Sequence, residues 1–172
     1  MIRLSDTSIP SWAVGEGQPV LDTTGAAYLL IGVGSAAVPV LRRWRAEVAD
    51  RSVEFWVGEN VRSACDVLVG ALGRARVGVR VGVAGPVGAC LALRAAAFGE
   101  GLEDDEFTAV TAGTGPLEVF CTHCRAATSA AIDVVGTVVC VGCQRKLIVY
   151  HHVSRSSGRF MGYLADAEVM MS

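Results

Sequence analysis

The chain has 172 residues, of which 52% are hydrophobic, enough for one ordinary domain or two small ones with buried cores. Its net charge is −2 and only 19% of its residues are charged, so composition gives no electrostatic case for a nucleic-acid partner. The uncharged stretch of residues 25–41 is interrupted by glycines and Pro39, which favours a buried strand and helix over a membrane span. The N-terminus lacks the apolar run of a secretory signal, so we expect a cytoplasmic protein with reduced thiols.

Strand and helix patterns alternate from residue 26 to residue 113. Apolar runs predict strands at 28–33, 52–57, 77–84 and 107–111. The first helix carries an apolar stripe of Leu41, Trp44 and Val48, Asn60 caps the second, and Pro86 opens the third. This alternation predicts a small three-layer, Rossmann-like α/β domain with a parallel sheet, about half of a doubly wound domain.

Two C-x-x-C pairs follow in a region where β-forming segments replace the helical stripes. Cys121 and Cys124 form the first pair, and after fifteen residues Cys140 and Cys143 form the second. Two such turns at the ends of adjacent strands can give the tetrahedral four-thiolate site of structural zinc. Redox motifs or disulfides are the alternative interpretation of the pairs, and iron in a rubredoxin-like site is the alternative metal.

These features divide the chain at the Gly-Thr-Gly-Pro boundary of residues 113–116. We predict an N-terminal arm (1–25), the Rossmann-like domain (26–113), a three-stranded antiparallel zinc ribbon (117–155) and a C-terminal tail (156–172). A bound metal explains how so short a ribbon folds, because about forty residues bury too little apolar surface by themselves.

A glycine loop follows the first predicted strand. Gly32-Val-Gly34-Ser-Ala-Ala37 is the G-x-G-x-x-A form of the dinucleotide loop, and Glu59 could hold a ribose. Glu59 lies 25 residues beyond Gly34, however, and the chain lacks a complete second half. A turn that merely needs small residues is therefore the favoured interpretation, and we do not expect NAD(P) to bind. The sequence contains no Ser/His/Asp or paired-carboxylate constellation, which predicts a chain without chemistry of its own.

Three segments carry a resemblance to a known family: residues 119–125, residues 140–155 with His-Val-Ser-Arg at their end, and residues 162–168. They resemble the C-terminal domain of the small zinc-ribbon subunits of bacterial dimethylamine monooxygenases. The preceding domain resembles, more distantly, the nucleotide domain of ferredoxin reductases. Ala84 stands where reductases have a cysteine before Gly-Pro, and no flavin-binding barrel precedes it, so we expect a degenerate reductase module kept for assembly.

The resemblance implies a multi-subunit, NADPH-dependent, haem-containing oxygenase that converts dimethylamine to methylamine and formaldehyde. This chain would be an accessory subunit that docks a haem oxygenase subunit and a flavin/iron–sulfur reductase subunit, or that orders an electron path. The strand at 151–155 would belong to the docking surface. A rubredoxin-like iron electron carrier and a nucleotide-binding redox module are the alternatives.

Overall fold

The computed structural model describes residues 7–14 and 19–165, which form two β-sheets. The elements of the first sheet are β1 (Ala27–Val33), α1 (Val38–Glu47), β2 (Ser52–Gly58), α2 (Val61–Leu72), β3 (Val79–Gly85), α3 (Val87–Gly99) and β4 (Phe107–Thr111). Short 3-10 helices lie at Ser11–Val14, Ser35–Ala37 and Asp104–Glu106. None of the described helices combines the length and the apolar character that crossing a membrane requires.

The first sheet has the strand order β2-β1-β3-β4, and every pair is parallel. Leu29 and Ile31 of β1 pack into the cluster beneath α2 and α3, whereas Tyr28 and Leu30 pack beneath α1. Side chains of a strand alternate between the two faces, so both faces of β1 are covered by helices. The predicted parallel sheet between two helical layers is therefore confirmed.

The second sheet contains five strands: β5 (Leu117–Cys121), β6 (Ala127–Ala130), β7 (Thr137–Val139), β8 (Lys146–Val153) and β9 (Phe160–Leu164). Their order is β6-β5-β9-β8-β7, and β9 runs parallel to β5 and antiparallel to β8. The prediction of three antiparallel strands is wrong in strand number, and its direction holds for the β5–β6, β7–β8 and β8–β9 pairs but not for the parallel β5–β9 pair. The β-forming composition of residues 131–139 predicts one strand there, but only β7 forms, because a turn closed by a 3.0 Å bond from Gly136 N–H to Asp133 O precedes it.

The central strand β9 comes from residues that the sequence assigned to the C-terminal tail. The turn before it is closed by hydrogen bonds of 2.8 Å from Gly158 N–H to Ser154 O and 2.9 Å from Ser154 N–H to Arg159 O. Gly162 fits between its neighbours because a Cβ there would lie 2.6 Å from Val119 Cγ1. The second sheet therefore extends past residue 155, while residues 166–168 of the resemblance lie outside the described part of the chain.

The described part of the N-terminal arm joins the two sheets. Ile9 lies in the buried cluster of the second sheet together with Leu91 of α3. The Ser8 hydroxyl donates to Val153 O at 3.0 Å and accepts from Val153 N–H at 2.7 Å, so the arm lies beside the end of β8. Trp12 packs against the clusters of both sheets. The inner face of the second sheet is thus covered by α3 and the arm.

An arginine pair also fastens the two sheets together. Arg155, which follows β8, forms an ion pair with Asp104 at 2.9 Å, and Arg94 of α3 binds the same carboxylate at 2.6 Å. Both guanidinium groups lie within 4.5 Å of the Phe98 ring centroid, a favourable cation–π distance. Arg155, which we expected on a docking surface, therefore contacts its own chain.

Candidate metal centre

The two cysteine pairs lie in loops with the same backbone hydrogen bonds. In the first cysteine loop (Cys121–Cys124), Cys121 N–H donates to Ala126 O at 2.9 Å. In the second cysteine loop (Cys140–Cys143), Cys140 N–H donates to Arg145 O at 2.9 Å. Each loop therefore closes on itself and points both of its thiols in one direction.

The residue after each loop has a left-handed backbone. Arg125 has a φ of 66° and Gln144 a φ of 59°. A non-glycine residue in this region costs roughly 1–2 kcal/mol. The conformation brings Arg125 N–H to Cys121 O at 2.8 Å and Gln144 N–H to Cys140 O at 2.9 Å. The closure of each cysteine loop is therefore accompanied by backbone strain at the residue that follows it.

The four sulfurs of the two loops form one cluster. Cys121 Sγ lies 3.8 Å from Cys143 Sγ, Cys124 Sγ lies 3.5 Å from Cys140 Sγ, and all four atoms are within 4.8 Å of one another. A tetrahedral zinc ion with Zn–S bonds of about 2.3 Å separates its sulfurs by about 3.8 Å. A disulfide would need about 2.0 Å. The cluster could therefore hold one metal ion, and its donors are not disulfide-bonded.

Burial and hydrogen bonding shift the pKa values of Cys124 and Cys140 in opposite directions. The Cys143 amide, opposed by desolvation and assisted by the Gly142 amide, lowers the pKa of Cys140 to about 6. At Cys124 the Ala126 amide lowers the pKa, but desolvation and the neighbouring sulfurs outweigh it and raise the pKa to about 12. A metal ion must displace the protons that remain, so metal affinity falls at low pH.

Thr128 connects the two cysteine loops. It is a polar side chain with only 4% of its surface exposed. Its Oγ1 accepts a 3.2 Å hydrogen bond from Val141 N–H, inside the second cysteine loop, while its own strand β6 follows the first. Thr128 was not predictable from the sequence, because a threonine in a β-rich segment carries no local signal of a buried partner.

Close packing and a second threonine also support the loops. A Cβ on Gly142 would lie 2.7 Å from Ala126 Cβ and 3.0 Å from Cys124 Sγ. The first loop is held to β9 because the backbone N–H and the hydroxyl of Thr122 both donate to Gly162 O at 3.1 Å. In the described residues, the cluster of potential ligands contains cysteines alone, and the histidines do not join it.

The glycine loop is closely packed at Gly32 and open at Gly34. A Cβ on Gly32 would lie 2.7 Å from Leu41 Cδ1 and 3.0 Å from Ala37 Cβ, so the small residues at 32 and 37 let α1 pack on β1. Gly34 has a φ of +82°, and the Glu59 carboxylate lies 3.9 Å from the position of a Cβ there. The structure therefore brings Gly34 and Glu59 together, whereas Gly32 and Ala37 are explained by packing.

The connection between the sheets crosses the place where open α/β sheets usually bind ligands. That place is the carboxyl end of the strands where their order reverses, here between β1 and β3. Ala112 N–H donates to Gly85 O at 2.8 Å. A Cβ on Gly113 would lie 3.2 Å from Ala36 Cβ, and one on Gly115 would lie 2.8 Å from Pro86 Cβ. The small residues of the connection allow it to lie against the segments that follow β1 and β3.

The second sheet is similar to a known domain family. Residues 118–163, which include all four clustered cysteines, match the family described as "Dimethylamine monooxygenase subunit DmmA-like, C-terminal domain". The chain is 35% identical over 102 residues to a "Heme-dependent oxidative N-demethylase delta subunit" of Ectopseudomonas mendocina (strain ymp). This alignment covers 59% of the chain and 57% of that relative. No solved structure matches. The resemblance predicted from the cysteine pairs and the His-Val-Ser-Arg segment is confirmed.

Proposed function

We propose that the chain is an accessory, non-catalytic subunit of a multi-subunit haem-dependent oxygenase, and that its four clustered cysteines hold one structural zinc ion. The oxygenase demethylates dimethylamine to methylamine and formaldehyde with NADPH in the cytoplasm. The observation that carries this proposal is the match of residues 118–163 to the C-terminal domain of a dimethylamine monooxygenase subunit. The relative named as the delta subunit of an N-demethylase supports it.

The donor set supports a structural rather than a catalytic metal. Structural zinc sites fill all four positions with protein ligands, whereas catalytic sites keep one position for water or substrate. The four thiols of this cluster fill every position, and Cys121 and Cys140 are fully buried. Zinc has no redox chemistry, so its contribution is to join the two cysteine loops. Iron in the same four thiolates would make the chain a rubredoxin-like electron carrier instead.

Elemental analysis and a visible spectrum of the purified chain decide the metal. We expect a colourless protein with about one zinc per chain. A red protein that contains iron would replace the structural role with electron transfer, and a metal-free folded protein would exclude both roles.

Assembly is tested by purification from the native host through a tag on this chain. We expect the haem oxygenase subunit and the flavin/iron–sulfur reductase subunit to co-purify in fixed proportion, with the haem followed by its absorbance. Replacing Cys143 by Ser should abolish co-purification together with metal binding. The proposed function would be refuted if the chain purified as a stable monomer and if its deletion from the host left dimethylamine demethylation unchanged.

A further inference from the structure

The second sheet has an apolar surface on both faces. Its inner face, which includes Val119, Leu147 and Phe160, belongs to the buried cluster beneath α3 and the arm. The alternate residues of the same strands point to the opposite side. We call this opposite side the outer face; its large apolar residues are Phe120, Ile148, Tyr150, Met161 and Tyr163.

The outer-face residues form one continuous patch. Ile148 lies opposite Tyr163 in the β8–β9 register, and Phe120 lies opposite Met161 in the β5–β9 register. The rings of Tyr150 and Tyr163 meet edge-on with centroids 5.5 Å apart, and the two side chains remain 46% and 42% exposed. An antiparallel sheet face in water is normally polar. A face rich in Tyr, Phe, Met and Ile has the composition of an interface core.

The charges of the chain are unevenly divided between its two parts. Residues 117–172 contain five Lys or Arg and four Asp or Glu, of which two acidic residues lie beyond the described part of the chain, whereas residues 1–116 contain ten and thirteen. Arg125, Arg145 and Lys146 lie within three residues of the ends of the cysteine loops and are exposed, and none has an ion-pair partner among the described residues. Four thiolates and a zinc ion carry a net charge of roughly −2, so this end of the sheet stays positive with the metal bound.

We propose that the outer face docks another subunit of the oxygenase complex. The surface of that subunit would be apolar at its centre and acidic along the border that meets the cysteine loops of this chain. This inference rests on the proposed function. Five strands about 4.8 Å apart and about 16 Å long present about 400 Å². A standard interface needs about 800 Å² per partner, so the cationic border must contribute beside the apolar centre.

A second copy of this chain fits the outer face less well than a different subunit. Among the described residues, its own outer face would bring one acidic side chain, Glu118, to the three cations, because Asp133 lies in the loop before β7. Acidic side chains on a different subunit would pair with Arg125, Arg145 and Lys146 and would steer its approach.

Binding of the zinc-loaded chain to the remaining subunits, purified without it, tests the docking surface. The double variant Tyr150→Ala/Tyr163→Ala should weaken binding by about 30-fold or more, as expected for buried aromatic anchors. Phe55→Ala is the matched control, because Phe55 is a 36% exposed aromatic on β2 of the other sheet, and it should bind as the wild type does. Arg145→Glu/Lys146→Glu should weaken binding and reduce its dependence on salt. Zinc content and circular dichroism confirm that each variant is folded.

The outcomes separate this inference from the proposed function. If both double variants bind as tightly as the wild-type chain does, the docking surface is overturned and the proposed function stands. A wild-type chain that binds none of the subunits would overturn both. A wild-type dimer that the tyrosine variant converts to a monomer, or tyrosine-dependent binding of a single-stranded oligonucleotide, would assign the outer face to a different occupant and overturn the inference.

Discussion

Replacing Thr128 by Val removes one hydroxyl at the metal centre and leaves the side-chain volume nearly unchanged. Val141 N–H then loses its 3.2 Å acceptor, while the packing around Thr128 is kept. An unsatisfied buried amide costs about 1–3 kcal/mol, and changes beside metal ligands lower metal affinity about 10–100-fold. Val141 is 63% exposed, so water can partly replace the lost acceptor. We therefore expect zinc affinity to fall about tenfold, at the lower end of this range.

Zinc affinity is measured by competition with a chromophoric chelator at fixed pH. Thr128→Ser keeps the hydroxyl and should recover most of the affinity that Thr128→Val loses. Thr122→Val is a second control, because the Thr122 N–H still donates to Gly162 O after its hydroxyl is removed. The reasoning is refuted by a Thr128→Val protein with wild-type zinc affinity, or by a Thr128→Ser protein as weak as Thr128→Val.

Three further predictions concern the cysteines, an ion pair and a strained turn. Cys124→Ser should lose zinc and unfold the second sheet, whereas Cys90→Ser, at a buried thiol of α3, should keep its zinc; metal content and proteolysis check both variants. The hydrogen bond from Arg80 lowers the pKa of Asp22 from 3.8 to about 2, so the stabilisation is present above about pH 4 and is lost as the pH falls toward 2. Asp22→Asn should flatten this acid limb in urea titrations, and an unchanged limb would contradict the assignment. Val135 is a β-branched residue with a φ of 68°, so Val135→Gly should stabilise the protein by up to about 1 kcal/mol. A lower melting temperature of this variant would contradict the strain at Val135.

Local patterns were enough to predict the first sheet and the cysteine cluster. The stripe of Leu41 and Trp44 in α1 and Val48 at its C-terminal cap is buried, and Asn60 Oδ1 accepts from Ser63 N–H as a helix cap. Both depend on spacing within one segment. The cysteine pairs were similarly predictable, because each closes within its own loop and two such loops have few ways of meeting.

The features that the sequence missed depend on contacts between distant segments. The run at 160–164 contains nothing that says whether it pairs with β5, pairs with β8 or remains a tail, because pairing is decided by the rest of the sheet. Asp104 belongs to an acidic stretch that looks solvated, yet it binds Arg94 and Arg155. Thr128 is similar, since its partner Val141 lies beyond the intervening strand β7.

The arrangement of the two sheets gives the first sheet a role in the proposed assembly. A two-sided apolar sheet needs a cover on one face before the other can act as an interface. The helix α3 and the arm supply this cover, and the Arg155–Asp104 pair fixes its position. The cysteine cluster joins the loop after β5 to the loop before β8, on the two sides of the central strand β9. The helical cover and the proposed metal therefore both act on the second sheet: the cover holds the inner face, and the metal would hold together the strands that present the outer face.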